Sequence, residues 1–417
     1  MQIKTISVHK YHEYLDTVHE KEFLQSDYQG MKFSQRGWEV EYIEAIKDGK
    51  TVAFSMIACM PLMKVFKYCY IPRGFFMDYH SKEDVISFTS SLKEYLKKKN
   101  VIYAEIDPSI EFVQRDKDGN IVEGGYNNFD VVENLKAAGF LHLPMKPGYD
   151  ISKECRWVSV LNLKGKTKEE IFKEFSYQTR QDIRTYEKYC VKTRVLNEDQ
   201  LDILDEMEKE TSERQDFEAM SLDFYKDLYH FYGKSHIETV LSYLDLDAYA
   251  IKMQSEFDKT SKDIEKTKAF LEQNPGNVKK EKRLKTDETY LDSLEKKISH
   301  IQELKDTYGK EVPLACCLFI KYGHEIVYLV GSSNYEQRDF RGPYAIHWHM
   351  IQEAIKEGYD FYNFYGISGY FEPGKEGYGV FDFKRGFNAI VHEYIGNFIL
   401  PCKPFIFKIY NNLKHIC

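Results

Sequence analysis

The chain has no hydrophobic run long enough to cross a bilayer. Its most apolar stretch, Val52 to Val65, is interrupted by Pro61 and Lys64 and falls short of the ~20 residues a spanning helix needs. The opening MQIKTISVHKYHEY has no apolar h-region, so no secretory signal is expected. Cysteine is sparse and scattered: Cys59, Cys69, Cys155, Cys190, Cys316, Cys317, Cys402 and Cys417 form no CxxC pair and no Cys/His metal spacing. Reduced, buried thiols in a cytosolic protein are the expectation. GxSxG, HExxH and GxxxxGK[ST] are all missing, which disfavours hydrolases, zincins and P-loop NTPases. A basic excess is missing too. With 58 Lys and Arg against 66 Asp and Glu, the net charge is −8, which argues against a general nucleic-acid coat protein but leaves room for a local basic patch.

Hydrophobic residues make up 43% of the 417 positions and aromatic residues 15%, ample for globular folding over two or three domains. In the first third, strand patterns at Trp38–Ile46, Thr51–Met60, Cys69–Phe75 and Val101–Ile106 alternate with a helix over Lys82–Lys99, whose basic last turn suits the helix dipole. A new unit opens near Ser159. The strand Leu161–Leu163 leads to a helix from Thr167 to Phe175 with a Thr167/Glu170 capping box. A basic helix, Arg180 to Lys188, and the strand Lys192–Leu196 follow. Farther on, the runs Leu314–Tyr322 and Glu325–Val330 turn at Gly323-His324 before a helix from Ala345 to Glu357. Alternation of this kind predicts an α/β or α+β sheet architecture.

Residues 250–308 break the pattern. Lys, Glu and Asp dominate, while Phe257, Ile264 and Leu271 recur every seven, as do Leu284, Leu291 and Ile298 after Asn274-Pro275-Gly276-Asn277. Leu294 and Ile301 fill a second seam, which Thr260 and Thr267 weaken in the first arm. The spacing predicts an antiparallel helical hairpin with coiled-coil character, the alternative being a solvated helix packed on the body. Just past the turn stand Lys279, Lys280, Lys282, Arg283 and Lys285. Cations at the end of a projecting arm suit phosphate contact, or merely solubilise it.

The most telling stretch is 361–395, FYNFYGISGYFEPGKEGYGVFDFKRGFNAIVHEYI. Six glycines and the pair Lys384-Arg385 lie between two strand-like runs, and glycine at this density permits close approach of backbone to a ligand. Phe381-Asp382-Phe383-Lys384 reads as a strand with its phenylalanines on one face and Asp382 and Lys384 on the other. That reading points Lys384 into a cleft or into solvent.

Tyr365-Gly366-Ile367-Ser368-Gly369, Gly379-Val380, Phe383-Lys384-Arg385-Gly386-Phe387 and Glu393-Tyr394-Ile395-Gly396 resemble the C-terminal signature of the Fem/MurM family. Tyr70-Ile71-Pro72-Arg73-Gly74 with Asp78-Tyr79, Ile106-Asp107-Pro108, Gly331-Ser332-Ser333-Asn334 and Gly342-Pro343-Tyr344-Ala345 follow in the family's order, so the likeness covers nearly the whole chain. It implies two acetyltransferase-like (GNAT-like) domains, 1–155 and 156–249 plus 309–400, an inserted arm at 250–308, and a C-terminal helix at 401–417 that packs back on the body. It implies an aminoacyltransferase that moves an amino acid from aminoacyl-tRNA to the stem peptide of a lipid-linked peptidoglycan precursor, without metal or cofactor. Such a reaction is aminolysis of an activated ester, which needs positioning, a deprotonated amine and oxyanion stabilisation but no protein nucleophile.

By the same resemblance Lys384 stabilises developing negative charge. Asp107 lines the substrate cleft as general base or amine orienter, although Asp-Pro is also a routine turn starter. Lys32 contacts the precursor's phosphates or is an ordinary surface lysine. Arg73, Arg214, Phe224, Tyr365, Gly366 and Ser368 complete the substrate-binding set, and Lys279, Lys280, Lys282 and Arg283 form the tRNA-binding set. In two places the sequence departs from the family. Met220 stands where a cation is usual, four before the retained aromatic Phe224, so either Arg214 substitutes or the precursor's phosphates are held differently; Val330 replaces a tyrosine. Two rival readings remain at this stage. One is an acyl-coenzyme A N-acyltransferase, disfavoured by the lack of a convincing R/Q-x-x-G-x-G/A loop; the other is a non-catalytic tRNA- or precursor-binding homologue. The chain is expected in the cytoplasm, with peripheral contact at the inner face of the plasma membrane. Pro404 to Ile416 alternates apolar residues with Lys408 and Lys414, as an interfacial helix does, or else it packs on the N-terminal domain.

Overall fold

The computed structural model describes residues 1–215, 217–414 and 416. Asp216 of the Arg214–Phe217 segment, and His415 and Cys417 of the C-terminal segment, lie outside them. Two eight-stranded sheets carry the molecule. In the first, the order is Gln2–Ile6, Glu39–Lys47, Lys50–Met63, Phe66–Arg73, Val101–Pro108, Phe398–Pro401 and Leu141–His142, with Phe76–Met77 added beside Lys50–Met63. In the second, it is Val191–Val195, Ile237–Asp245, Glu311–Tyr322, Glu325–Ser333, Phe361–Ile367, Trp157–Asn162, Ile390–Tyr394 and Glu111–Gln114.

Most expected elements fall within a few residues of the sequence reading. The helix Lys82–Lys98 buries Val85, Phe88, Leu92 and Leu96 on one face, the apolar stripe that placed it. Lys168–Glu174 starts at the expected Thr167/Glu170 capping box. The two halves are not sequential domains, however. Glu111–Gln114, from the range expected in the first domain, pairs with Ile390–Tyr394 of the second sheet. Phe398–Pro401, expected in the second domain, pairs with Val101–Pro108 of the first. Each sheet thus borrows a strand from the other half, Glu111–Gln114 at the edge of the second and Phe398–Pro401 between Val101–Pro108 and Leu141–His142 in the first, a pairing choice that periodicity along a strand does not encode.

The signature block brings the main correction. Phe381-Asp382-Phe383-Lys384 is helical, not extended, within Tyr378–Gly386. Gly377, in the left-handed region at φ 69°, opens the helix. Phe381 and Lys384, three apart, face inward together, while Asp382 is exposed. Four residues of alternating character fit a period of 2 and a period of 3.6 equally well, and here the flanking glycines decide.

In the arm, Leu246–Gln273 and Val278–Tyr308 are joined at Pro275-Gly276. Lys268–Glu288 at 2.9 Å and Lys305–Asp247 at 2.6 Å tie the two helices in antiparallel register. Ile264, Leu294, Ile301 and Leu304 are buried in the seam or at its root. Thr267 is buried as well, its hydroxyl donating to the Asp263 carbonyl at 2.8 Å, so it is accommodated without an orphaned polar group. At the C-terminus, Phe407 of the helix Pro404–Lys414 packs among Ile102, Tyr103 and Ile399.

Candidate active site

Parallel pairing between Glu325–Ser333 and Phe361–Ile367 stops at Val327 and Asn363. The second strand then shifts register between Asn363 and Gly366, with Tyr365 in the left-handed region at φ 62°. A bulge of this kind removes carbonyls from the ladder and re-aims them. Lys384 takes up those carbonyls, its Nζ donating to Gly366 O at 2.6 Å and Tyr365 O at 3.3 Å. An ammonium has three N–H groups, so one is not taken by these two carbonyls. The side chain is 4% exposed, and burial lowers its pKa from 10.5 to about 7. Beneath it lies His347, held neutral by burial and by Lys384, with its pKa down to about 3 and Nδ1 2.7 Å from the Tyr362 hydroxyl.

Gly366 has no room for a side chain: a Cβ there would lie 2.4 Å from Cys155 Sγ. Gly366→Ala is therefore expected to displace the carbonyl that seats Lys384 and to slow turnover at least ~10-fold with little unfolding. Adding Cys155→Ala should restore most of the rate, measured as kcat on the same acceptor; a double variant no faster than the single one would separate the glycine from the lysine's seat.

On the other side of Cys155, its carbonyl accepts from Arg73 Nη2 at 2.7 Å. Arg73, at the end of Phe66–Arg73, is buried, left-handed at φ 52° and stacked 4.2 Å over the Tyr394 ring. Asp107 serves this arginine. Its Oδ1 accepts the Arg73 backbone N–H at 3.0 Å, and its Oδ2 lies 3.8 Å from Nη1 and accepts from the Tyr70 hydroxyl at 3.3 Å. Burial raises the Asp107 pKa to about 7 against the pull of Arg73. The carboxylate expected in the cleft is thus 2% exposed and stands behind Arg73. The cleft itself, about 660 Å³, lies between the two sheets and is lined by Arg73, Glu22, Ser109, Glu325, Asn363 and Tyr394 among others, but not by Lys384 or Asp107. Burial pushes the carboxyls of Glu22 and Glu325 up.

Lys32 is no surface lysine. In the helix Asp27–Gln35 it is 7% exposed, with Nζ 4.3 Å from the centroid of the Phe224 ring, so the structure joins two residues far apart in sequence. Burial lowers its pKa to about 8, with Glu154 acting against that shift. Arg214 does not join them; its guanidinium lies 5.1 Å over Tyr335. The second cation at the Phe224 ring is Arg36, 5.9 Å from the centroid, so what the geometry brings to the ring four residues after Met220 is not Arg214 but Arg36. Its four-residue spacing from Lys32 was the available signal.

Two further groups had no sequence signal. Glu154 accepts from the Tyr365 hydroxyl at 2.7 Å, and its charge also acts on Lys32 and Asp107. Tyr328 presents its ring 5.8 Å from Lys384 Nζ. Ser368, fully buried, donates to the Glu376 carbonyl at 2.7 Å and so closes the loop before the Lys384 helix. Of the arm-tip cations, Lys279 and Lys282 are exposed, Lys280 lies over Phe270, and Arg283 is engaged by Asp263 and Asp287. Arg180 caps the carbonyls of Lys173 and Phe175 and takes no part in the site.

Two eight-stranded sheets, one of them with a bulged strand that seats a buried lysine, form the frame on which the comparisons bear. The chain belongs to the FemAB family, whose profile matches residues 6–415. It is 33% identical over 369 residues to aminoacyltransferase FemA of Staphylococcus epidermidis, covering 88% of each chain. It is 34% identical over 371 residues to aminoacyltransferase FemA of Staphylococcus aureus, covering 88% of this chain and 87% of that one. The crystal structure of FemX superposes with a TM-score of 0.77 over 98% of this chain and 99% of that one at 22% identity, which shows the shared fold.

Proposed function

We propose that the chain is an aminoacyltransferase that carries an amino acid from aminoacyl-tRNA to the stem-peptide side chain of a lipid-linked peptidoglycan precursor, at the inner face of the plasma membrane. The observation that carries this reading is the buried Lys384, with two N–H groups on bulge carbonyls and one left over, in a chain related to named aminoacyltransferases over most of its length. The acceptor amine attacks the ester carbonyl carbon. A C–N bond forms, the C–O bond to the ribose breaks, and the amine's proton ends on the ribose oxygen. Lys384 meets the oxyanion of the tetrahedral intermediate in a site with little water to screen it. Asp107 is a positioning residue: it holds Arg73 in its left-handed turn against Cys155. Lys32 and Arg36, around Phe224, provide the cationic seat for the precursor's phosphates. The acyl-coenzyme A alternative finds no support among the named relatives.

Hydrolysis and transfer are separable. Consumption of charged tRNA should accelerate only when the precursor is present, and the amino acid should reappear on it. Equal consumption without the precursor would mean that the ester is hydrolysed and would sink the transfer reading.

The arm tip is the proposed tRNA contact. Lys279→Gln, Lys280→Gln and Lys282→Gln together should raise KM for charged tRNA and make log KM about two units less steep in log salt, with the precursor KM unchanged. An unaltered salt slope would leave the tip a solubilising feature.

A further inference from the structure

The C-terminal helix Pro404–Lys414 has two apolar faces. Ile406, Phe407 and Tyr410 turn inward against Ile102, Tyr103 and Ile399. Phe405, Ile409 and Leu413 turn outward and are 78%, 51% and 72% exposed. Spacing of i, i+4, i+8 makes them one stripe. Packing and surface contact are therefore not alternatives for this helix, because different residues serve each. A second element stands alongside. Lys403 Nζ lies 5.9 Å over the Phe66 ring, and the turn just before Phe66 carries Lys64 and Val65, the latter 66% exposed.

Charge says what this face meets. From Tyr394 to Cys417 the sequence contains no Asp or Glu, in a chain of net charge −8, while Lys403, Lys408 and Lys414 all fall there. Among the described residues no ion pair engages Lys64, Lys403, Lys408 or Lys414, whereas the neighbouring Lys67 is paired with Glu39. A second copy meeting this face symmetrically would set lysine against lysine. No described helix is long and apolar enough to cross a membrane, so any contact is peripheral.

We propose that this face docks the protein on a membrane surface bearing anionic lipids, with Phe405, Ile409, Leu413 and Val65 entering the headgroup region and the four lysines meeting lipid phosphates. The proposal deepens the functional reading, on which it rests only for the lipid-linked acceptor: it names the surface that brings the enzyme to that acceptor.

Co-sedimentation of the full chain with phosphatidylcholine vesicles, with and without phosphatidylglycerol, tests it. Wild type should bind the anionic vesicles and bind the neutral ones at least tenfold more weakly. The triple variant Phe405→Ser, Ile409→Ser, Leu413→Ser alters only exposed side chains and should lose at least tenfold in anionic-vesicle binding with an unchanged melting temperature. Lys403→Gln, Lys408→Gln and Lys414→Gln together should lose about a hundredfold, each lysine contributing roughly fivefold. Wild-type protein that ignores anionic vesicles, or a serine variant that binds them as wild type does, overturns the docking face; so does a wild-type dimer that the serine variant breaks. Transfer to detergent-solubilised precursor should be equal in wild type and serine variant, while KM for vesicle-embedded precursor rises in the variant alone. Wild type that binds vesicles but transfers nothing in either format would refute the enzymatic reading and leave the docking face standing.

Discussion

Lys384→Ala is expected to lower kcat by about 10²–10³ and to leave the protein folded. Among the described residues the lysine makes no ion pair; its bonds run to two backbone carbonyls and its burial opposes its charge. Such a group is costly to the fold. Between its ordinary pKa of 10.5 and the folded value of about 7, the unfolded chain holds more protons than the native one, so this residue's penalty is full below about pH 7 and fades as pH rises toward 10.5. Near pH 8 it is on the order of 3 kcal/mol, so Lys384→Met should melt several degrees higher than wild type while being catalytically dead. Gain of stability with loss of turnover is the mark of a functional lysine; a Lys384→Met protein that melts lower, or one that still turns over, would show the residue to be structural. The same ionisation should shape the pH profile. The ammonium's contribution falls as pH rises through about 7, and Lys384→Arg, weak as it will be, should lack that falling limb because guanidinium keeps its charge.

Arg73→Ala should produce the largest loss of stability. It strips from Asp107, which is 2% exposed, the one cation paired with it among the described residues, and leaves the Cys155 carbonyl without its donor. Uncoupling a buried pair in this way costs about 3–5 kcal/mol. The sign with pH is fixed by Asp107. Burial has raised its pKa to about 7 even with Arg73 beside it, and without the arginine it goes higher. The deficit relative to wild type should therefore shrink as pH falls and Asp107 becomes neutral. Arg73→Ala with Asp107→Asn should be more stable than Arg73→Ala alone at pH 8, by denaturant titration. A deficit independent of pH, unrelieved by Asp107→Asn, would mean that Arg73 acts through packing on Tyr394.

Legibility of the sequence followed the range of the interaction. Elements set by local chemistry were readable: the Thr167/Glu170 cap, the apolar stripe of Lys82–Lys98 and the Pro275-Gly276 turn each lie within a few residues of their determinants. The resemblance points to Tyr365, Gly366 and Lys384, and the structure brings all three into contact. What failed was orientation. Phe381–Lys384 reads as a strand in sequence because four residues cannot separate two periods. The family resemblance points Asp107 into the cleft, because nothing at its position announces that Arg73 will turn back over it. Glu154 and Cys155, between Arg73 and Tyr365, had no signature, since their role comes only from two sheets closing on one connecting segment. The exchange of Glu111–Gln114 and Phe398–Pro401 between sheets was hidden for the same reason.

The most direct measurement offers both donors at once. Protein, lipid-linked precursor, tRNA charged with isotope-labelled amino acids and acetyl-coenzyme A carrying a different label are incubated together, and the precursor is analysed by tandem mass spectrometry. The expected product carries a labelled aminoacyl residue in amide linkage on the stem-peptide side chain, and it is missing from the Lys384→Ala reaction. A precursor that gains the acetyl label and no aminoacyl label, or that gains nothing while wild type and Lys384→Ala behave alike, would contradict aminoacyl transfer at this site.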